Sequence, residues 1–268
     1  MKKTSSKTSS LIVLRKKLNN RICEIPKFIF FSKKEFIKNK NLILDQIVKN
    51  FKSEIIIRSS SLSEDNENKS NAGKYKSFQN IKINKKDINN KIIEIISEFK
   101  KLDDQVIIQD FKKNILYSGV IFTRDQNTNA PYYIINFDKS GKTNLVTSGK
   151  HNPSSKTLVI NRRSKKIPKT FIKLIKLIKK IENIFKSDKL DIEFAIEKKT
   201  KKIFIFQCRI LNISKKFENF DKQIEISINN IKKKFKKIKK KNEFTPGSTT
   251  ILSNMADWNP AEMIGSKP

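Results

Sequence analysis

The order of its apolar segments predicts an α+β fold. Three observations carry that prediction. Short apolar runs alternate with amphipathic stretches of helical period along one continuous region. The chain has 268 residues, 37% hydrophobic and with 19 Phe, enough to bury a sizeable core. Residues 191–210 read as two strands around a polar turn.

The elements follow in order. Leu11, Leu14 and Leu18 recur at helical spacing and predict a helix over 8–19. After Pro26, Phe28-Ile29-Phe30-Phe31 reads as a short buried strand. Ser32 is the expected N-cap of a helix through Phe36, and Leu44, Ile47, Val48 and Phe51 mark another. Residues 54–58 form a strand whose apolar run stops at Arg58-Ser59-Ser60-Ser61, followed by a polar loop over 62–75. A strand over 78–83 precedes an amphipathic helix carrying Ile88, Ile92, Ile95, Ile96 and Phe99. Strands are then expected at 105–111, 118–123, 132–137 and 157–160, a helix at 170–186, and the hairpin. Residues 217–241 read as a basic helix, with eight Lys among residues 232–241. The predicted organisation is a subdomain over 1–85, a second over 86–214, a basic helical linker over 215–245, and the start of a further segment over 246–268, as in a fragment of a longer protein.

The formal net charge is +33. A Lys-rich surface neutralises phosphates, so nucleic-acid binding is one reading. Of the 59 basic residues, however, 52 are Lys and seven Arg, and Asn, Ile and Phe rise together while Gly, Ala and Pro are scarce. That is compositional drift of a coding sequence rich in A and T. Arg, which grips phosphates and base edges with its fork, is not enriched, so the charge reads as background. Two distant Cys, Cys23 and Cys208, form no disulfide framework or metal spacing, which favours a reducing, cytoplasmic compartment. One His excludes His-rich metal or acid–base sites. No apolar run is long enough to span a membrane.

In so Gly-poor a chain, the six Gly should mark backbone positions that require them. Gly73, Gly119 and Gly149 sit where loops or strand ends could present N–H groups to phosphate, or form ordinary turns. Arg58, ending a buried strand, is poised either for phosphate oxygens or for a surface salt bridge with Glu64 or Asp65. In the hairpin, Asp191 and Glu193 share one strand face, and Gln207 and Arg209 share one on the returning strand. Centring the turn near Lys199-Thr200 sets the pairs opposite one another. Two carboxylates, an amide oxygen and an Arg suit Mg²⁺ and the phosphates it bridges. They equally suit a solvated face with cross-strand ion pairing, and spacing leaves both open.

These motifs together resemble the N-terminal ATP-grasp-like nucleotide-binding domain of the phosphoenolpyruvate synthase and pyruvate phosphate dikinase family. The likeness runs in order over residues 5–211. It comprises Ser6-Lys7 with Leu11; Ile25-Pro26-Lys27-Phe28; Ile57-Arg58-Ser59-Ser60 with Glu64-Asp65, Ala72-Gly73 and Phe78; Val106 to Gln109; Ser118 to Asp125; Ser148-Gly149 with Pro153; Asp191-Ile192-Glu193; and Gln207-Cys208-Arg209. The resemblance implies two subdomains with ATP between them. Lys7 and Arg58 would contact phosphates, Gln109 would lie beside adenine, and Glu193 and Gln207 would hold Mg²⁺ with Asp191 in support. Arg209, with Arg58, would stabilise the transferring phosphoryl group. The family passes that group to a His on a swivelling domain. His151, the one His here, stands in a sequence unlike that acceptor, so the domain would lie in the rest of the protein or on another chain. The family's opening Gly pair is Ser5-Ser6 here, and its Gly-rich element before Ser148 is absent. The alternatives are a non-catalytic nucleic-acid-binding protein acting through Lys232–Lys241, and a degenerate relative that has lost ATP.

Overall fold

The computed structural model describes residues 7–18, 23–60, 76–139, 155–211, 213 and 221–238. The α+β expectation holds, and most elements fall within a few residues of their sequence-derived places. Residues through Lys216 make one unit and those from Phe217 a second.

The first unit contains two sheets. Strands β2 (Phe28–Ser32), β3 (Ile55–Ser60), β4 (Ser77–Ile81) and β5 (Gln105–Asp110) form an antiparallel sheet in the order β2-β5-β3-β4. Helices α2 (Lys33–Asn50) and α3 (Lys85–Ile96) cover one face. Their buried Phe36, Leu44, Ile47, Ile88, Ile92 and Ile95 pack on Ile55, Ile57, Val106 and Ile108. The other sheet runs β1 (Cys23–Glu24), β10 (Ile203–Ile210), β9 (Leu190–Glu197), β6 (Ile115–Phe122), β7 (Tyr132–Asp138), β8 (Ser155–Asn161). Only β1 pairs in parallel. Helices α1 (Lys7–Lys17) and α4 (Lys169–Phe185) bury their apolar stripes on it, and Phe28 and Ile107 of the smaller sheet join the same core.

The division between sheets differs from the expected boundary at residue 85. The smaller sheet ends with β5 at Asp110, while α1 and β1 pack with the larger sheet. β5 sits between β2 and β3 because it supplies backbone partners to both, a long-range pairing that no local pattern encodes. The two expected helices after Ser32 are one span broken at Asn39, whose φ of −129° and ψ of 36° are non-helical. Ser32 is the predicted cap. Its hydroxyl accepts from Glu35 N, and the Glu35 carboxylate accepts from Ser32 N.

Gly119 lies within β6, where a Cβ would stand 2.1 Å from the Asn136 carbonyl oxygen and 2.9 Å from Phe137 Cα. Both obstacles are backbone of the paired strand. Gly119→Ala is therefore expected to destabilise the fold by about 3 kcal/mol, the upper end for overpacking, measured by urea unfolding. A loss below about 0.5 kcal/mol, the level of an ordinary surface change, would contradict that close approach. Gly73, Gly141, Gly149, Gly247, Gly265 and His151 lie outside the described residues.

Acid sensitivity follows from carboxylates held below their ordinary range, among them exposed Glu94 through hydrogen bonds from Lys91 and Lys76. The Ser32 backbone and hydroxyl hydrogen bonds do this for Glu35, and the Thr128 hydroxyl for Asp125. Burial opposes ionisation of Glu24 and Asp188. Lys112 and Lys202 outweigh it at Glu24, and Arg124 at Asp188. With the folded pKa below the unfolded one, their stabilisation is complete above the unfolded value and is lost as pH falls through the folded one. Burial raises Asp110, which acts in the opposite sense. The melting temperature should hold from neutrality to about pH 5 and fall below about pH 4. A flat profile to pH 3 would contradict this.

In the second unit, α5 (Asp221–Ile238) exposes Ile226, Ile228, Ile231 and Phe235 alongside Lys232–Lys234 and Lys236-Lys237. Among the described residues no helix is long and apolar enough to cross a membrane.

Candidate functional site

The expected hairpin has the expected register. Glu193 stands opposite Gln207, and Asp191 opposite Arg209, with an irregularity between Ile205 and Gln207 that accommodates Phe206. Leu190, Ile192, Phe194, Ile203, Ile205 and Cys208 face the core under α1 and α4. Alternation sends the polar residues to the opposite face, where Ala195, Phe204 and Phe206 form a small apolar cluster with Ile115.

Arg58 reaches this face from the other sheet. It lies in β3 on the same side as Ile56, beside Ile107 and Gln109 of β5, away from α2 and α3. Its Nη1 donates to Glu193 Oε2 at 2.5 Å, joining residues 135 apart in the chain. The two side chains are only 12% and 16% exposed. The guanidinium also lies 5.9 Å from the Phe206 ring centre. The Arg58 partner is thus a shielded carboxylate across two sheets and not the surface pair with Glu64 or Asp65, which lie outside the described residues. A second charge pair lies along the hairpin, where Arg209 Nε donates to Asp191 Oδ2 at 2.6 Å. This contact is the cross-strand ion pairing that the bland reading of the hairpin expects.

Two buried polar atoms on this side have no hydrogen-bond partner among the described residues. Gln109 is fully buried. Its Nε2 donates over a long 3.5 Å to Phe206 O, and its Oε1 has no hydrogen-bond partner among the described residues. Arg58 Nε is likewise buried without an acceptor. Gln207 is 7% exposed. A buried polar atom left unmatched costs about 1–3 kcal/mol, so two together set this face apart from an ordinary sheet surface.

The remaining predicted residues are placed as follows. Lys7 is the first residue of α1. Its neighbour Thr8 donates through Oγ1 to Gln105 Oε1 at 2.9 Å, which ties that helix end to β5. Cys208 is fully buried behind the hairpin, and burial with the nearby Asp191 carboxylate pushes its thiol pKa up, so the thiol is unreactive. Both cysteines are free. Among the described residues no three His, Cys, Asp or Glu side chains converge as a metal cluster.

Sequence reasoning did not foresee a buried network at the far side of the larger sheet. Arg162 donates to both Glu182 oxygens, at 2.5 and 3.0 Å, and to Thr123 O at 2.8 Å. Tyr133 donates its hydroxyl to Glu182 at 3.2 Å, and Arg162 lies over its ring. Arg124 holds Asp188 at 2.6–2.8 Å. The available signal was the retention of Arg in a chain where Lys outnumbers it so heavily. Among the described residues, Arg58, Arg124, Arg162 and Arg209 each hold a carboxylate.

Comparison with known proteins gives no matching family model and no matching curated protein. Solved structures give partial likenesses. The VanG D-Ala:D-Ser ligase of Enterococcus faecalis aligns at TM-score 0.44 and 12% identity, covering 81% of this chain and 56% of that one. The Helicobacter pylori D-alanine–D-alanine ligase gives TM-score 0.44 and 13% identity, over 83% and 59%. The Bacillus anthracis D-alanine–D-alanine ligase complexed with ATP gives 0.42 and 14%, over 82% and 60%. The chain spans less than two thirds of the length of each. At TM-scores below 0.5 these likenesses carry no argument about its ligand or reaction, and the reading of the site rests on the chain's own residues.

Proposed function

We propose that the two sheets form an ATP-grasp-like nucleotide-binding module, the ATP-dependent part of a phosphotransferase resembling phosphoenolpyruvate synthase and pyruvate phosphate dikinase. The observation that supports it best is Arg58 crossing from the smaller sheet to Glu193, which stands opposite Gln207 on the larger one. An Arg fork, a carboxylate and an amide oxygen on facing surfaces form a donor set for nucleotide phosphates and a hard cation.

In this reading Arg58 and Lys7 hold phosphate oxygens. Glu193 and Gln207 are the protein donors for Mg²⁺. Two such donors fit, because Mg²⁺ takes one or two carboxylates and completes its shell with water and phosphate. A bound ion there would supply positive charge to offset that of the phosphates. Asp191 orients Arg209, which stabilises the transferring group, and Gln109 offers its unmatched acceptor to the base. Catalysis is then positioning plus electrostatic stabilisation. The phosphoryl acceptor is a His on a swivelling domain elsewhere in the protein or on another chain, working in a reducing, cytoplasmic compartment.

Isothermal titration of the 268-residue chain with Mg²⁺–ATP tests this reading. Saturable binding is expected, weakened ten- to a hundredfold or more in Arg58→Ala/Glu193→Ala. Equal binding by both proteins, or none by the wild type, would overturn it.

A further inference from the structure

A further cleft lies elsewhere. It has a volume of about 930 Å³ and lies at the turn end of the β9–β10 hairpin, between that turn, the segment after β5 and α4. None of Lys7, Arg58, Gln109, Asp191, Glu193, Gln207 and Arg209 lines it. A volume of this size is that of a small-molecule site.

Its charge is one-sided. Lys173, Lys176 and Lys180 line one wall from α4. They stand at i, i+3 and i+7, so they project along one helix face over about 10 Å of its axis. None of them makes an ion pair among the described residues. Lys201 and Lys202 of the turn, with Lys112 and Lys113, stand across from them. Only two carboxylates enter the cleft, and both are engaged. Glu24 lies between Lys112 at 2.8 Å and Lys202 at 2.6 Å, and Glu197 accepts the Thr200 hydroxyl. The cleft therefore holds a surplus of ammonium groups between low-dielectric walls, which focuses the field.

The turn is held in a costly conformation. Lys201 has φ 57°, the left-handed region that Gly or Asn adopts more easily. Its ammonium donates back to Lys198 O at 2.9 Å, and Lys198 N donates to Asn114 O at 2.8 Å. A cation is thus kept at the cleft mouth where conformational preference disfavours Lys.

We propose that this cleft binds a small oligophosphate anion, one carrying at least two linked phosphate groups. The spacing selects that chemistry. An extended acidic peptide turns a side chain to one face only every ~6.6 Å, which sets one or two carboxylates against the three α4 ammoniums. Linked phosphates place several charges within the same length. A single-stranded nucleic acid would need bare aromatic rings for its bases. The one aromatic residue here, Phe204, is buried and carries Lys112 over its ring.

The test is calorimetric titration of the full chain with inorganic triphosphate, without Mg²⁺, at two salt concentrations. A saturable site weakened by salt is expected. Lys176→Gln/Lys180→Gln should weaken it about tenfold or more. Lys201→Asn should weaken it severalfold while melting at or above the wild-type temperature, which separates lost charge from lost fold. Triphosphate also carries the groups that Arg58 would hold, so the titrations are repeated in Arg58→Ala, where the cleft site, with its salt dependence and its loss in the double Lys variant, should persist; this site and the Arg58–Glu193 site then stand or fall separately. Diffuse multi-site binding unchanged in the double variant would overturn the proposal. So would equal loss in Arg58→Ala, or tighter binding of polyglutamate or oligo(dT) than of triphosphate.

Discussion

Glu182→Ala is expected to destabilise the protein by about 3 kcal/mol, the lower end for a broken buried pair, because it leaves the largely shielded Arg162 charge without its partner. The Arg162 and Glu182 side chains are 19% and 9% exposed, and the fork uses both carboxylate oxygens. The same substitution orphans the buried Tyr133 hydroxyl. Glu182→Gln keeps an acceptor for Tyr133 and should cost less. Replacing both charged partners by apolar residues of similar volume, Arg162→Met with Glu182→Leu, should cost far less than the two single changes summed, since no charge is then stranded. Urea denaturation of the wild type, Glu182→Ala, Glu182→Gln, Arg162→Met, Glu182→Leu and the double variant measures this. A Glu182→Ala loss under about 1 kcal/mol, the worth of an exposed ion pair, would show that the network is not shielded.

The second large effect concerns the nucleotide reading, and its sign changes with the cation. In the structure Arg58 is occupied by Glu193, so phosphate must separate them before gaining the guanidinium. Without Mg²⁺ the Glu193 carboxylate repels phosphate and competes for Arg58, and Glu193→Gln should bind ATP severalfold more tightly than the wild type. With Mg²⁺ the same variant lacks a cation ligand and should bind more weakly. Arg58→Ala should weaken binding under both conditions by about ten- to a hundredfold, the 1.5–3 kcal/mol typical of a charged hydrogen bond. Titrations with EDTA and with Mg²⁺ separate these outcomes. A Glu193→Gln effect of the same sign in both would remove Glu193 as cation ligand.

Much of the secondary structure was legible because its signals are local. Leu11 and Leu14, the Ser32–Glu35 cap and the α4 stripe of Phe171, Leu174, Ile175 and Ile178 each obey a period or a neighbour rule that operates within one turn. The hairpin register was legible near its turn, since a short turn fixes which residues oppose, whereas the extra residue Phe206 that aligns Glu193 with Gln207 was not. Gly119 was singled out through rarity, but its reason is an approaching carbonyl of β7 and not a phosphate loop.

By itself, the sequence determined the order and kind of the elements, the faces they bury, and the rough opposition of the pair Asp191 and Glu193 to the pair Gln207 and Arg209. All of these depend on spacing along a single strand or helix. Only the tertiary structure decided that β5 enters the smaller sheet, that Arg58 meets Glu193, that Arg162 is locked on Glu182, and that α4 faces the hairpin turn across a lysine-lined cleft. Those contacts join residues far apart in the chain. Burial of two cores and the matching of buried charges set them, and both are properties of packed surfaces that a linear pattern does not contain.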